Sequence, residues 1–126
     1  MTALQSARSA YARPEAPART SRSVEYDLLA RTTQRLSLAW TRRKDDFPAF
    51  VEALSDNMRL WSTLALDVAQ PENGLPSALR AQLFYLYQFT TEHSRAVLKG
   101  AASVEVLVDI NTAVMRGLRG DKGQLT

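Results

Sequence analysis

His93 is the single histidine of the 126 residues and directly follows Glu92, so a carboxylate–imidazole contact is the one place to look for proton transfer. A catalytic site needs several converging groups. Nothing in this sequence supplies a nucleophile and an orienting group for His93, which reads as a partly exposed or helix-packing side chain. Two carboxylate pairs have i, i+4 spacing, Glu52 with Asp56 and Glu105 with Asp109. Metal sites in helical bundles combine such carboxylates with a Glu-x-x-His unit on a facing helix. That unit is missing, so the pairs read as solvated helix faces. With no cysteine there is no thiolate nucleophile, disulfide or Cys-based zinc site. The five glycines are scattered and none makes a phosphate-binding loop. The expectation is no enzyme, no catalytic residue, no metal and no cofactor.

Binding chemistry is better represented. Arg42, Arg43 and Lys44 form a basic run, and Arg8, Arg13, Arg19 and Arg22 make the N-terminus basic against Glu15 alone. Beyond residue 22 acids and bases are equal in number, so the formal charge of +3 belongs to the N-terminal stretch. Phosphate binding needs clustered, uncompensated cations. Here Asp45 and Asp46 follow the basic run at once, and a helix end followed by a helix cap accounts for all five residues. Nucleic-acid binding is therefore the weaker reading but stays open. Two asparagines, Asn57 and Asn111, lie on or beside apolar stripes. A buried amide must be hydrogen-bonded or it costs on the order of 1–3 kcal/mol. Each is expected to set helix register, or to tie down a neighbouring loop such as 70–76, in preference to touching a partner.

Four helices must position these residues. Ser23 is expected to cap the first, with Glu25 in its first turn and Tyr26, Leu29, Thr33, Leu36 and Trp40 on one stripe. Asp45 or Asp46 caps the second, with Pro48 in its first turn. Its stripe is Phe47, Val51, Leu54, Met58, Trp61, Ala65 and Val68, and it stops before Pro71. The Pro71–Pro76 segment is a turn, with Asn73-Gly74 inside it. A third helix runs from Pro76 to about Lys99, with Gly100 as a left-handed cap. Leu79, Leu83 and Leu86 make its stripe, while Phe84, Tyr85, Tyr87 and Phe89 spread aromatics over its other faces. A helix apolar nearly all round is either central or covered by a partner. Ser103 opens a fourth helix carrying Val104, Leu107, Val108, Val114, Met115 and Leu118, which frays after Gly117 and Gly120.

These elements predict an all-α, antiparallel bundle of about four helices. Residues 1–22 are read as a flexible basic tail because they hold almost no large apolar side chain. Residues 23–119 form a single helical domain, and 120–126 a flexible C-terminal end. No apolar run approaches the ~18 residues of a membrane span, and no secretory signal opens the chain. The expected compartment is the cytoplasm, with no membrane partner.

Three blocks resemble the FlaF family of flagellar biosynthesis regulators of alphaproteobacteria. The first, Leu60 to Leu83, contains Leu60, Trp61, Asp67, Pro71, Glu72, Asn73, Leu75, Pro76, Leu79 and Arg80. The second, Val108 to Leu118, contains Ile110, Asn111, Met115, Gly117 and Leu118. The third, Arg22 to Leu36, is similar to the family's N-terminal helix. The resemblance implies a cytoplasmic factor needed for flagellin production, acting on flagellin secretion or on translation of its message, alongside a second regulator called FlbT. On that footing flagellin is the expected partner, held as an amphipathic helix in a groove, with FlbT as a further partner. The surface expected to do this is Trp61, Phe84, Tyr85, Tyr87 and Phe89, extended by Trp40. The competing reading is a post-transcriptional regulator acting on the message alone or with FlbT. A third is a plain dimerising bundle.

Overall fold

The computed structural model describes residues 17–118, and side chains within 25–117. Four helices follow one another: α1 (Pro17–Thr41), α2 (Phe47–Ala69), α3 (Ser77–Leu98) and α4 (Glu105–Leu118). No strand occurs among the described residues. The expected all-α bundle is what forms. Residues 1–16 of the basic tail and the C-terminal end from 120 lie outside the described residues.

The first boundary differs from expectation. α1 begins at Pro17 rather than at Ser23, so the last residues assigned to the tail are helical. Proline suits a first helical turn because its missing N–H has no intrahelical partner there. Nothing between Ala18 and Arg22 breaks a helix, so α1 extends back to Pro17. The other boundaries follow their local signals. Asp46 caps α2, its carboxylate accepting from the Ala49 amide at 3.1 Å, with Pro48 in the first turn. α2 ends before Pro71, and Pro76 is the N-cap of α3. Gly100 has φ of +78°. Its amide donates to the Val97 carbonyl and that of Ala101 to the Ala96 carbonyl, the paired bonds of a Schellman cap. Ser103 Oγ accepts from the Glu105 amide at 3.3 Å at the start of α4.

Neighbouring helices pack in the ring order α1–α2–α3–α4, and the α3–α4 seam is much the thinnest of the four. The core has two apolar clusters, one near each end. One contains Leu29, Trp61, Leu64, Val68, Leu83 and Val114, with Leu75 and Leu79 packed on it. The other contains Leu36, Phe50, Ala53, Leu54, Val97, Val104 and Leu107, with Trp40 at its margin. Along α2 the buried face is centred on Phe50, Leu54, Asn57, Trp61 and Val68. Phe47, expected on that stripe, is half exposed. It is the first helical residue after the cap, and Phe50 meets Trp40 in its place, with ring centroids 5.3 Å apart.

Candidate functional site: the outer edge of the third helix

Between the two clusters lies a polar layer. Thr33 of α1, Asn57 of α2, Thr90 and Ser94 of α3 and Asn111 of α4 are all buried. Asn111 sits at its centre. Its carbonyl oxygen accepts from Trp61 Nε1 at 2.8 Å, and its amide donates to Thr33 Oγ1 at 3.0 Å and to Asn57 Oδ1 at 2.7 Å. Thr33 Oγ1 in turn donates to the Leu29 carbonyl at 2.6 Å. A one-residue slip of α2 or α4 removes these partners, so the layer sets register, as expected of the two asparagines. It does not reach the 70–76 turn. Trp61 also belongs here: at 1% exposure, with its only N–H engaged, it is a core residue and not part of a partner surface.

The 70–76 turn has its own fastening. Asn73 Oδ1 accepts from the Leu75 amide at 3.0 Å, an Asx turn. Its Nδ2 donates to the Asp67 carbonyl at 3.1 Å. Arg80 reaches back from α3, with Nε 2.8 Å from the Val68 carbonyl and a terminal nitrogen 2.8 Å from the Gln70 carbonyl. The last carbonyls of a helix lack intrahelical donors, and a cation there also suits the negative end of the helix dipole. Asn73-Gly74 announced the turn in the sequence. That Arg80 would cap α2 from another helix had no sequence signal.

The aromatics of α3 divide. Leu83 is buried, and Leu79, Leu86 and Tyr87 pack against the first cluster. Phe84, Tyr85 and Phe89 are exposed, Tyr85 by 63%. Phe84 lies against Tyr87, with centroids 5.7 Å apart. Two open grooves flank this edge. One, of about 570 Å³, is bordered by Tyr85, Tyr87, Gln88, Phe89, Thr91 and Glu92. The other, of about 510 Å³, lies toward Val68 and Ala69 of α2 and is bordered by Arg80, Phe84 and Tyr85. α3 therefore buries one stripe and carries aromatic surface that the described bundle leaves uncovered.

Three further polar candidates, His93, Asp56 and Arg43, have structural partners. His93 Nε2 is 2.8 Å from the Ser103 carbonyl, so that nitrogen carries a proton, and the ring stacks on Phe89. Asp56 pairs with Arg35 across the α1–α2 seam and with Arg59 of its own helix. The Arg43 guanidinium lies 3.6 Å over the Trp40 ring and donates to the Trp40 carbonyl at 2.8 Å. The basic run thus closes α1. Trp40, expected to extend the partner surface, is half-buried under Arg43 and at the far end of the bundle from Phe84. Among the described residues no group of three or more histidine or acidic side chains is placed to hold a metal ion. No described helix is long and apolar enough to cross a membrane.

Most residues that carry the sequence resemblance are fold-building. Leu60, Leu75, Leu79, Ile110 and Met115 surround the first cluster. Asp67, Asn73, Pro76 and Arg80 build the turn, with Pro71 and Glu72 exposed on it. Gly117 is half-buried in the last turn of α4, and the Leu118 side chain lies outside the described residues. A family model described as flagellar protein FlaF matches residues 7–118. No curated protein and no solved structure matches the chain.

Proposed function

The chain belongs to the FlaF family of flagellar proteins, and from that premise we propose that it is a cytoplasmic, non-enzymatic factor that binds flagellin and promotes its secretion and assembly. The supporting observation is the exposed aromatic edge of α3, Phe84, Tyr85 and Phe89, with an open groove on either flank. A terminal helix of flagellin has an apolar face to cover before it polymerises. An aromatic-lined groove on a helical scaffold is suited to that face by the helix-in-groove mode. Exposed aromatics supply large contact area with little rotamer entropy to lose, which is why they dominate such interfaces. FlbT enters this reading as a second partner.

Soluble flagellin titrated onto the full chain tests the proposal. A Kd in the micromolar range, about −8 kcal/mol, is expected, with weak dependence on ionic strength because apolar burial drives it. Tyr85→Ala combined with Phe89→Ala is expected to weaken binding at least tenfold without loss of fold. Absence of binding at tens of micromolar refutes the reading. Binding of the flagellin message with a steep salt dependence favours the post-transcriptional alternative. In that case the arginines of the N-terminus, with Arg42 and Lys44, become the surface to test.

A further inference from the structure

α3 is tied to the bundle differently from the other helices. Across the polar layer, Thr33, Asn57, Trp61 and Asn111 hydrogen-bond one another and so join α1, α2 and α4. α3 puts two buried hydroxyls into the same layer, and neither joins that network. Thr90 Oγ1 donates to the Tyr87 carbonyl of its own helix at 2.8 Å. Ser94 Oγ is fully buried without a hydrogen-bond partner among the described residues, as is Asn57 Nδ2 on the adjacent α2. A buried polar group without a partner weakens the closed state relative to an open one in which water satisfies it. The α3–α4 seam is also the thinnest in the ring, so the packing of α3 rests chiefly on its broad seam with α2. Among the described residues the side-chain polar ties of α3 are Arg80, fastened to α2 near its start, and His93, held to the Ser103 carbonyl near its end.

We infer that α3 is the helix that opens first: its C-terminal half, Thr90–Leu98, undocks as a unit, while its N-terminal half stays fastened through Arg80 and packed on the first cluster, and α1, α2 and α4 stay together. A detached segment this short is not stable as a helix in water, so undocking and loss of amide protection coincide. The opening uncovers Thr90, Ser94 and Val97 beside the already exposed Phe89, lengthening the strip available to a client helix. That last step rests on the flagellin reading, whereas the opening itself does not.

Hydrogen exchange on the full chain, free in solution, tests the opening. Amides of 90–98 are expected to form a separate class, at least about tenfold less protected than those of 29–36, 54–61 and 107–114. Ser94→Ala is expected to raise the protection of 90–98 about tenfold by removing the orphan hydroxyl from the closed state. Thr33→Val is expected to lower protection in the other three helices about fivefold, leaving 90–98 unmoved because both hydrogen-bond partners of Thr33, Leu29 and Asn111, lie on helices that stay together when α3 opens. The inference is overturned if 90–98 exchange at a common rate with the slowest amides. It is also overturned if Thr33→Val lowers their protection equally, or if Ser94→Ala leaves it unchanged. Added flagellin separates the two ideas: if 90–98 open as described but their exchange is indifferent to saturating flagellin, the client step alone fails.

Discussion

Replacing Asn111 by alanine removes the hub of the polar layer and leaves its spokes in place. Trp61 Nε1, 2.8 Å from the Asn111 carbonyl oxygen, becomes a donor without an acceptor inside a residue only 1% exposed. Asn57 loses the one partner of its Oδ1, and since its Nδ2 already has none, the whole amide is left unsatisfied in a fully buried position. Thr33 is less affected, because its hydroxyl keeps the Leu29 carbonyl. Two orphaned groups at about 1–3 kcal/mol each give an expected loss of about 3 kcal/mol. For a domain near a hundred residues that corresponds to a fall in Tm of about 15 °C. Urea denaturation followed by tryptophan fluorescence measures it, as a lower midpoint at unchanged slope. A double-mutant cycle with Trp61→Phe isolates the indole bond. In the Asn111→Ala background the indole N–H is already orphaned, so the two losses are expected to couple by about 1 kcal/mol or more. A loss below about 1 kcal/mol for Asn111→Ala, or a coupling near zero, refutes the polar layer as a load on stability.

Other perturbations follow from the same geometry. Arg80→Met keeps the aliphatic stem and removes both bonds to the end of α2. It is expected to destabilise by about 2 kcal/mol and to loosen residues 70–76 selectively, read by amide exchange. Asp46→Ala removes the cap of α2 and is expected to cost about 1 kcal/mol in chemical denaturation. Gly100→Ala meets no atom within 4 Å, so its whole effect is the left-handed backbone. Calorimetry is expected to show a loss of about 1–2 kcal/mol. Tyr85→Ala, at a residue 63% exposed, is expected to change stability by no more than about 0.5 kcal/mol, so that any weakening of flagellin binding reports the surface and not the fold.

Local chemistry in the chain decided where the helices stop and how many there are. Asp46 with Pro48, the two prolines around Asn73-Gly74, and Gly100 each act through their own backbone preferences, which neighbours in space do not alter. The start of α1 lies earlier than its cap signal, because a good cap at Ser23 does not prevent a helix from beginning at Pro17. The apolar stripes located Leu29, Thr33 and Leu36 on α1 and Leu83 on α3, but not the buried Thr90, Ser94 and Val97 of α3, and on α2 the period placed Phe47 where Phe50 is buried. Contact with Trp40 chose Phe50.

What only the tertiary structure decided is how polar and aromatic groups are divided between inside and outside. A tryptophan in a motif is equally suited to a core and to an interface. Trp61 is inside because Asn111, fifty residues away, supplies its acceptor. Arg80 reads as a surface cation until α3 lies beside the open carbonyls of α2. The four aromatics of 84–89 cannot all face one core, since successive helical residues turn by about 100°. Their sequence left two outcomes, a central helix or an uncovered aromatic edge, and the packing of α3 against its neighbours chose Tyr87 for the inside and Phe84, Tyr85 and Phe89 for the edge. Helix periodicity is a property of one segment, whereas burial is a property of several segments meeting, and that difference separates the two kinds of knowledge.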